Sequence, residues 1–147
     1  MPDIIIKKAE TDSELAQVFK IREIVFIKGQ HVPKEREMDG YDAKANHFLV
    51  LIKDTPIGCA RVRFYNKGIA KIAKIERVAI LNESRNKGLG KMLMAYLIDF
   101  CKKQGAKEID LHSQLHAKEF YLKCGFTPYG KIFVDAGIEH IAMYKTL

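Results

Sequence analysis

The 147-residue sequence predicts an α/β fold built on a single mixed β-sheet. Between residues 47 and 80, three apolar stretches alternate with turn-forming sequences, a pattern typical of consecutive antiparallel strands. Residues 75–113 then follow the order strand, helix, strand, which implies a parallel pair with a right-handed crossover. A final hairpin is predicted over residues 129–144. Because no repeat or linker interrupts the chain, we expect one domain spanning residues 1–147.

The first 46 residues predict a strand, a helix and a segment without periodicity. Residues 4–6 are all isoleucine and favour a strand. Thr11 and Glu14 have the spacing of a capping box, and apolar residues then recur at helical spacing until Gly29. The segment from residue 29 to 46 contains four carboxylates within an otherwise basic chain: Glu35, Glu37, Asp39 and Asp42. Such a segment is either functional or a solvated loop balanced by neighbouring basic residues.

Composition and cysteine content bound the class of protein. Apolar residues form 48% and charged residues 29% of the chain, which is ordinary for a soluble globular domain. No apolar run approaches the roughly 20 residues of a membrane span, and we see no secretion signal, so we expect no membrane partner. The cysteines, Cys59, Cys101 and Cys124, are odd in number and lack metal-ligand spacing. We therefore expect reduced thiols, no metal site and a cytoplasmic location.

The net charge of +7 suggests a polyanionic partner, either nucleic acid or a phosphorylated small molecule. The lysines are scattered singly or in pairs, and they do not interleave with aromatic residues on one evident strand face. A solvated lysine surface is the alternative explanation. We therefore expect no nucleic-acid partner.

The segment from residue 74 to 97 carries the clearest functional signal. Its strand ends near Ile80, and Gly88 and Gly90 then stand at the beginning of a helical pattern that Gly105 ends. Such a turn exposes several backbone N–H groups at the positive end of the helix dipole. This arrangement suits a phosphate group.

Two common phosphate loops do not fit these residues. The nucleotide-triphosphate loop requires glycine where Arg85 stands and serine or threonine where Met92 stands. The dinucleotide fingerprint requires a third glycine where Leu93 stands. The remaining pattern, Arg85-x-x-Gly88-x-Gly90, resembles the pyrophosphate loop of the GCN5-related N-acetyltransferase (GNAT) superfamily.

A second motif strengthens this resemblance. The aromatic pair Phe120 and Tyr121, followed by Lys123 and then by Gly125 and Phe126, is similar to another GNAT segment. The two motifs occur in the family's order and at its separation. The resemblance implies the GNAT fold, which is a mixed, mostly antiparallel sheet with helices on both faces and a parallel strand pair at the cofactor site. It also implies acetyl transfer from acetyl-CoA to an amine by direct attack in a ternary complex.

A narrower resemblance, to a bacterial ElaA-like branch, rests on four short stretches. They are Arg22-Glu23-x-Val25-Phe26, Asp39-Gly40-Tyr41-Asp42, His112-Ser113-Gln114 and Gly137-Ile138-x-His140-Ile141-x-Met143. The chain departs from that branch at Gly29-Gln30, where glutamate often precedes the glutamine. The branch does not identify an acceptor.

The resemblance implies that acetyl-CoA is the co-substrate and indicates which residues would bind it. The pyrophosphate would lie against the loop at the helix start: Arg85, Asn86, Lys87, Gly88, Leu89, Gly90 and Lys91. The pantetheine arm would pair with a strand edge formed by Val78, Ala79 and Ile80. The N–H of Val78 or Ala79 would polarise the thioester carbonyl. The remaining expected contacts are Gln114, Tyr121 and Lys123.

The attacking amine must lose a proton, and Glu76 is the favoured base, acting through water. It lies two residues before Val78, hence on the same strand face by the period of two. His140 and the carboxylates of residues 35–42 are alternative bases. The competing explanation for Glu76 is a structural ion pair with a nearby basic residue: Arg61, Lys74 or Arg77.

The departing thiolate benefits from a proton, and Tyr121 fills the position that the family commonly uses as general acid. The alternative is a packed aromatic ring whose hydroxyl merely contacts the cofactor. Cys124 has no histidine-plus-acid arrangement nearby in the sequence, so we interpret it as a packing residue.

The acceptor is predicted only as a class, a small-molecule or peptide amine. By the resemblance, the loop after the first helix borders the acceptor pocket. We therefore predict substrate roles for Glu35, Asp39 and His140. Assembly as a homodimer stays open. An alternative function is an acetyl-CoA-binding sensor or partner-binding domain with little catalysis.

Overall fold

The computed structural model describes residues 3–147. The strands are β1 (Ile4–Ala9), β2 (Asn46–Ile52), β3 (Thr55–Lys67), β4 (Ala70–Ile80), β5 (Glu108–Gln114), β6 (Thr127–Asp135) and β7 (Ile138–Thr146). The helices are α1 (Asp12–Arg22), α2 (Lys34–Glu37), α3 (Leu89–Lys103) and α4 (Lys118–Lys123). No helix among residues 3–147 combines the length and apolar character needed to cross a membrane.

The seven strands form one sheet in the order β1-β2-β3-β4-β5-β7-β6. Antiparallel pairing joins β1 to β2, β2 to β3, β5 to β7 and β6 to β7. The β4–β5 pair is parallel, with a register that runs from Ile72 and Glu108 to Ile75 and Leu111. The predicted mixed sheet, with its parallel strand pair, is therefore confirmed.

Local sequence signals account for several element boundaries. The Thr11 hydroxyl accepts a hydrogen bond from the Glu14 N–H at 3.1 Å, and the Glu14 carboxylate accepts one from the Thr11 N–H at 3.0 Å. This is the predicted capping box. Lys53 and Asp54 form the two-residue β2–β3 turn, and both have positive φ angles, as a type I′ hairpin requires.

The chain divides into two compact units. The first combines the chain up to Val62 with Arg77–Leu93, and the second combines Arg63–Glu76 with Met94–Leu147. The first unit has a core contributed by α1, β2 and β3, with fully buried apolar side chains that include Val18, Phe48, Leu49, Val50 and Val62. Burial of each such side chain contributes about 1.5–3 kcal/mol.

The core of the second unit lies among α3, β5 and β7. Its fully buried side chains include Met94, Leu97, Cys101, Ile109 and Met143. Burial raises the pKa of the Cys101 thiol to about 12, so the thiol is uncharged. Cys59 in the first unit is also fully buried and its pKa is likewise raised by burial to about 12. Both cysteines are therefore buried, uncharged thiols.

The segment after α1 is more structured than its sequence pattern indicates. The predicted helix to Gly29 ends as an α-helix at Arg22 and continues as a π-helical turn over Glu23–Lys28. The segment without periodicity contains α2 and a short 3₁₀ turn over Asp42–Lys44. Side-chain ion pairs with other elements hold this segment in place. Such contacts leave no helical or strand periodicity in the sequence, so the pattern could not predict this structure.

Candidate active site

The turn before α3 presents backbone donors on an open surface. Gly88 has φ of +77°, and a Cβ built there would meet no atom within 4 Å. The first α-helical hydrogen bond runs from the Met92 N–H to the Gly88 carbonyl at 3.1 Å. The N–H groups of Leu89, Gly90 and Lys91 therefore precede that bond and belong to the unpaired first turn. The buried Leu89 side chain anchors this turn in the core.

The predicted basic side chains of this loop have different environments. Arg85 donates from Nε to the Ile80 carbonyl at 2.8 Å and from Nη1 to the Asn82 side chain at 3.4 Å. Its guanidinium therefore caps the end of β4. Lys87 and Lys91 are exposed, and Asn86 adopts a left-handed conformation with φ of +64°.

The last residues of β4 are held tightly against β3. The Leu81 N–H donates to the Ile57 carbonyl at 2.8 Å. A Cβ at Gly58 would lie 3.0 Å from the Ala79 carbonyl oxygen and 2.7 Å from Cδ1 of Ile80. Only glycine allows this approach without displacement of the neighbours.

Arg77, within β4, has φ of +57°, which is uncommon for a residue with a side chain. Glu76, Arg77 and Val78 are all half-buried in succession, so the side chains do not alternate here. The period of two, on which the expected common face of Glu76 and Val78 depended, is therefore interrupted at Arg77. The Cys59 thiol donates weakly to the Arg77 carbonyl at 3.5 Å.

Three arginines and three carboxylates form one ion-pair cluster in the first unit. We call it the arginine cluster: Arg22, Arg61, Arg77, Glu37, Asp39 and Asp42. Arg22 and Arg61 are almost completely buried, and so is Glu37 at 3% exposure. Equal numbers of positive and negative charges make this burial tolerable, because an unpaired buried charge is very costly.

The predicted acceptor carboxylates differ in how much of their charge is compensated. Asp39 receives hydrogen bonds from Arg61 at 2.7 and 2.9 Å and from Arg77 at 3.1 Å. Partial burial acts to raise the pKa of Asp39, but Arg61 and the Tyr41 N–H outweigh it and the pKa lies well below its usual range. Glu35 is exposed and makes no ion pair among the described residues. The sequence interpretation missed these arginine partners.

Glu76, the predicted base, forms an ion pair in the second unit. Its Oε1 lies 2.5 Å from Nε of Arg63, and its side chain is 12% exposed. The competing explanation of an ion pair is thus correct in kind. Arg63 was not among the partners considered, and Arg61 and Arg77 bind the carboxylates of the arginine cluster.

Two histidines flank Phe133 in the second unit. The ring of His140 stacks on Phe133 with centroids 5.7 Å apart, and His112 meets the same ring edge-on at 5.1 Å. Nδ1 of His140 donates to the Ile138 carbonyl at 2.7 Å, so the lone pair of the neutral ring lies on Nε2.

His112 was not predicted as a functional residue. The parallel register ends at Ile75 and Leu111, and Glu76 and His112 are the next residues on the two strands. Neither ring nitrogen of His112 bonds to another residue within 3–147. Partial burial lowers the pKa of His112, Lys74 adds to this effect, and Glu76 opposes it. Its only sequence signal is its place in the ElaA-like pattern.

Tyr121, the predicted acid, packs between two phenylalanines. Its ring lies edge-on to Phe120 at 5.0 Å and to Phe126 at 6.0 Å. The hydroxyl makes no hydrogen bond to another residue within the described chain. Burial, with a smaller effect of Cys124, raises the pKa of Tyr121 well above its ordinary value. The phenol is therefore protonated at neutral pH.

The remaining predicted contacts lie near Tyr121 along the chain. The Gln114 side-chain oxygen is 2.7 Å from Nε2 of His116. Lys123 is exposed at the last residue of α4, and Cys124 is a half-buried cysteine that forms no disulfide with a described residue. Across residues 3–147, no three His, Cys, Asp or Glu side chains are placed to hold a metal ion.

The comparison with known proteins identifies the family. The family model described as an acetyltransferase (GNAT) domain matches residues 10–147. The chain belongs to the GNAT acetyltransferase family. Uncharacterized protein YyaT of Bacillus subtilis is 35% identical over 97% of this chain and 95% of its own length. The crystal structure of Escherichia coli ElaA superposes with a TM-score of 0.85 at 25% identity, covering 99% of each chain. Both the predicted superfamily and the ElaA-like resemblance are confirmed.

As a GNAT acetyltransferase, the chain uses acetyl-CoA, and the loop before α3 is the candidate site for its pyrophosphate. Its donors are backbone N–H groups at the positive end of a 15-residue helix. The open space over Gly88 would be wide enough for a diphosphate to approach the backbone. The exposed ammonium groups of Lys87 and Lys91 add positive charge without forming part of the packed core.

Proposed function

We propose that this GNAT acetyltransferase transfers the acetyl group of acetyl-CoA to a primary amine by direct attack in a ternary complex. The observation that carries the proposal is the loop before α3, where the left-handed Gly88 leaves the first-turn N–H groups accessible. This loop would hold the pyrophosphate through Arg85, Asn86, Lys87, Gly88, Leu89, Gly90 and Lys91.

The thioester carbonyl would accept a hydrogen bond from the N–H of Val78 or Ala79, with the pantetheine arm along Val78–Ile80. As the amine nitrogen bonds to the acetyl carbon, charge develops on the carbonyl oxygen, and a fixed N–H stabilises that charge. Gln114 and Lys123 are proposed to add further contacts with the cofactor.

Two side chains would move the protons. Glu76 takes the amine proton through a water molecule, and the C–S bond breaks as the tetrahedral intermediate collapses. Tyr121, as the general acid, donates its phenolic proton to the leaving thiolate. Its raised pKa keeps the proton on the phenol at the start of the reaction, and the same shift makes full proton transfer costlier.

The proposed acceptor is a small-molecule or peptide amine. Two solved neighbours support this class. Arabidopsis thaliana Naa50, with a TM-score of 0.75 at 22% identity, was crystallised with the bisubstrate analogue CoA-Ac-MVNAL, and FeeM is described as an N-acyl amino acid synthase. Glu35 and His140 are the proposed acceptor contacts. Asp39 would contribute less, because two arginines already compensate its charge.

The test combines binding and turnover. Calorimetry with acetyl-CoA measures the cofactor site, and release of free thiol measures transfer to a panel of spermidine, glucosamine, phenylalanine amide and a peptide with a free N-terminus. We expect binding and thiol release with at least one amine. Absence of acetyl-CoA binding would contradict the cofactor assignment. Tight binding without thiol release from any amine would instead favour the sensor function.

A further inference from the structure

Arg77 is unusual because its backbone is left-handed while its side chain is held at several points. Such a conformation disfavours any residue with a Cβ, so surrounding contacts must maintain it. It lies immediately before Val78 and Ala79. A change of φ at Arg77 would therefore turn the N–H groups that follow it.

The segment after α1 supplies the contacts to the Arg77 side chain. Nη2 of Arg77 donates to the Glu37 carbonyl at 3.0 Å and to the Asp39 carboxylate at 3.1 Å, and Nε lies 3.0 Å from Oε1 of Glu37. The guanidinium is thus bound by both the backbone and the side chains of one short segment.

That segment is in turn fixed by two buried arginines. Arg22 donates from Nε to Glu37 at 2.5 Å and from Nη2 to the Glu37 carbonyl at 2.9 Å. Arg61 binds both oxygens of Asp39. The groups that hold Arg77 are therefore themselves positioned by α1 and β3, and planar guanidinium groups give such contacts a defined direction.

We infer that the arginine cluster positions the β4 backbone at Arg77, and through it the Val78 and Ala79 N–H groups that act on the thioester carbonyl. This inference rests on the proposed function. Arg77 is a positioning residue in this view. The carboxylates of residues 37–42 serve mainly to hold it, rather than to attract the acceptor.

Two substitutions at Arg77 separate backbone geometry from packing. Arg77→Ala removes the side-chain contacts and keeps a Cβ that disfavours positive φ, whereas Arg77→Gly removes the same contacts but tolerates positive φ. We expect Arg77→Ala to lower kcat roughly 10-fold to 100-fold. Acetyl-CoA Kd should rise by a smaller factor, because the variant leaves the loop before α3 unaltered. We expect Arg77→Gly to recover part of that loss. Asp99→Asn, which removes only the exposed pair with Lys103, is the control and should match the wild type.

A second readout does not depend on activity. The amide NMR shifts of Val78 and Ala79 should move strongly in Arg77→Ala and much less in Arg77→Gly. Unchanged shifts in Arg77→Ala would overturn the inference whether or not an acceptor is known. Equal losses of kcat in both variants would also overturn it. If Arg77→Ala does not fold, Asp39→Asn is the second variant, because it removes the carboxylate charge that binds both Arg77 and Arg61. It should lower kcat and move the same two amides. Wild-type behaviour of Asp39→Asn would contradict the inference. Failure of the proposed function would appear separately, as a wild-type protein that releases no thiol.

Discussion

Nε of Arg63 on β3 lies 2.5 Å from Oε1 of Glu76 on β4, so the carboxylate proposed as the base is already paired with a cation. An ion pair can orient a carboxylate, and it can equally be a structural contact. The two roles differ in their effect on turnover, because only a proton acceptor is needed more in the transition state than in the ground state.

Glu76→Gln should lower kcat by about 10²-fold to 10⁴-fold with acetyl-CoA Kd unchanged, since the amide keeps the shape and cannot accept the proton. Arg63→Met removes the partner and keeps the carboxylate, so it should retain more turnover than Glu76→Gln. Steady-state kinetics with an accepted amine and calorimetry measure both. A wild-type kcat in a folded Glu76→Gln protein would show that Glu76 is not the base and only forms a structural ion pair with Arg63.

His112 should set the acid limb of the rate. The charged and titratable groups around it are Lys74, Glu76, Asp135 and His140, and its pKa lies below its ordinary value near 6.5. The ring is therefore neutral at pH 7. As pH falls through this lowered pKa, the imidazolium forms beside Glu76 and makes that carboxylate a poorer proton acceptor. The value of kcat/KM should therefore fall.

The variant His112→Asn tests whether His112 is itself the base or only a neighbour of the base Glu76. If Glu76 takes the proton, kcat at pH 8 should stay within about 3-fold of the wild type, while the acid limb moves to lower pH. A loss of about 10²-fold or more at pH 8 would instead make His112 the base.

Tyr121→Phe deletes one oxygen and keeps the ring that packs between Phe120 and Phe126. Because no described residue bonds to this hydroxyl, its removal should leave stability almost unchanged. We expect unchanged acetyl-CoA affinity and a kcat lowered by roughly 10²-fold. Equal turnover by wild type and variant at saturating substrates would show that Tyr121 is only a packing residue.

Local sequence signals were sufficient for much of the fold. Thr11 and Glu14 are three residues apart, so neighbouring residues determine the capping box. The order of strands and helices around Gly88 could likewise be predicted from the sequence. These predictions needed only contacts that are short-range in sequence.

The partners in the ion pairs could not be predicted from local sequence signals. Arg22 and Glu37 are 15 residues apart and Arg77 and Glu37 are 40 apart, so their pairing depends on how the sheet and α1 bring them together. The same limit explains why Glu76 was assigned partners other than Arg63. The interruption of the strand alternation at Arg77 could not be predicted either, because arginine is not a residue that indicates a positive φ.

Gly88→Val should weaken acetyl-CoA binding by altering the loop itself. The position has φ of +77° and open space where a side chain would lie, so valine would strain the turn and occupy the region proposed for the pyrophosphate. Gly68→Val is a matched control, since Gly68 has φ of +63° and is also open, in the β3–β4 turn. Calorimetry should show a loss of affinity only for Gly88→Val. Equal affinities in the two folded variants would contradict the loop assignment.

As pH falls, the free energy of unfolding should decrease in two stages, the first from His47 and the second from Asp42 of the arginine cluster. Burial lowers the pKa of His47, whose Nε2 donates to the Asp42 carbonyl at 2.9 Å. As pH falls, the imidazole of His47 is protonated in the unfolded state at a higher pH than in the folded state. The free energy of unfolding should therefore decrease as pH falls below about 6.5. Arg22 and Arg61 together outweigh the effect of burial and lower the pKa of Asp42. Its stabilisation is complete above about pH 4 and is lost as pH falls through the folded pKa.

Urea unfolding at several pH values tests this assignment. His47→Gln should flatten the first stage between pH 7 and 5 and leave the second in place, because glutamine does not titrate. Each unit by which the folded pKa of His47 lies below the unfolded value corresponds to about 1.4 kcal/mol in fully acidic solution. His116→Gln, at an exposed histidine that contacts Gln114, is the control and should retain the wild-type first stage. If His47→Gln retains the full decrease between pH 7 and 5, the first stage has another source, and the buried imidazole does not limit the stability of the cluster.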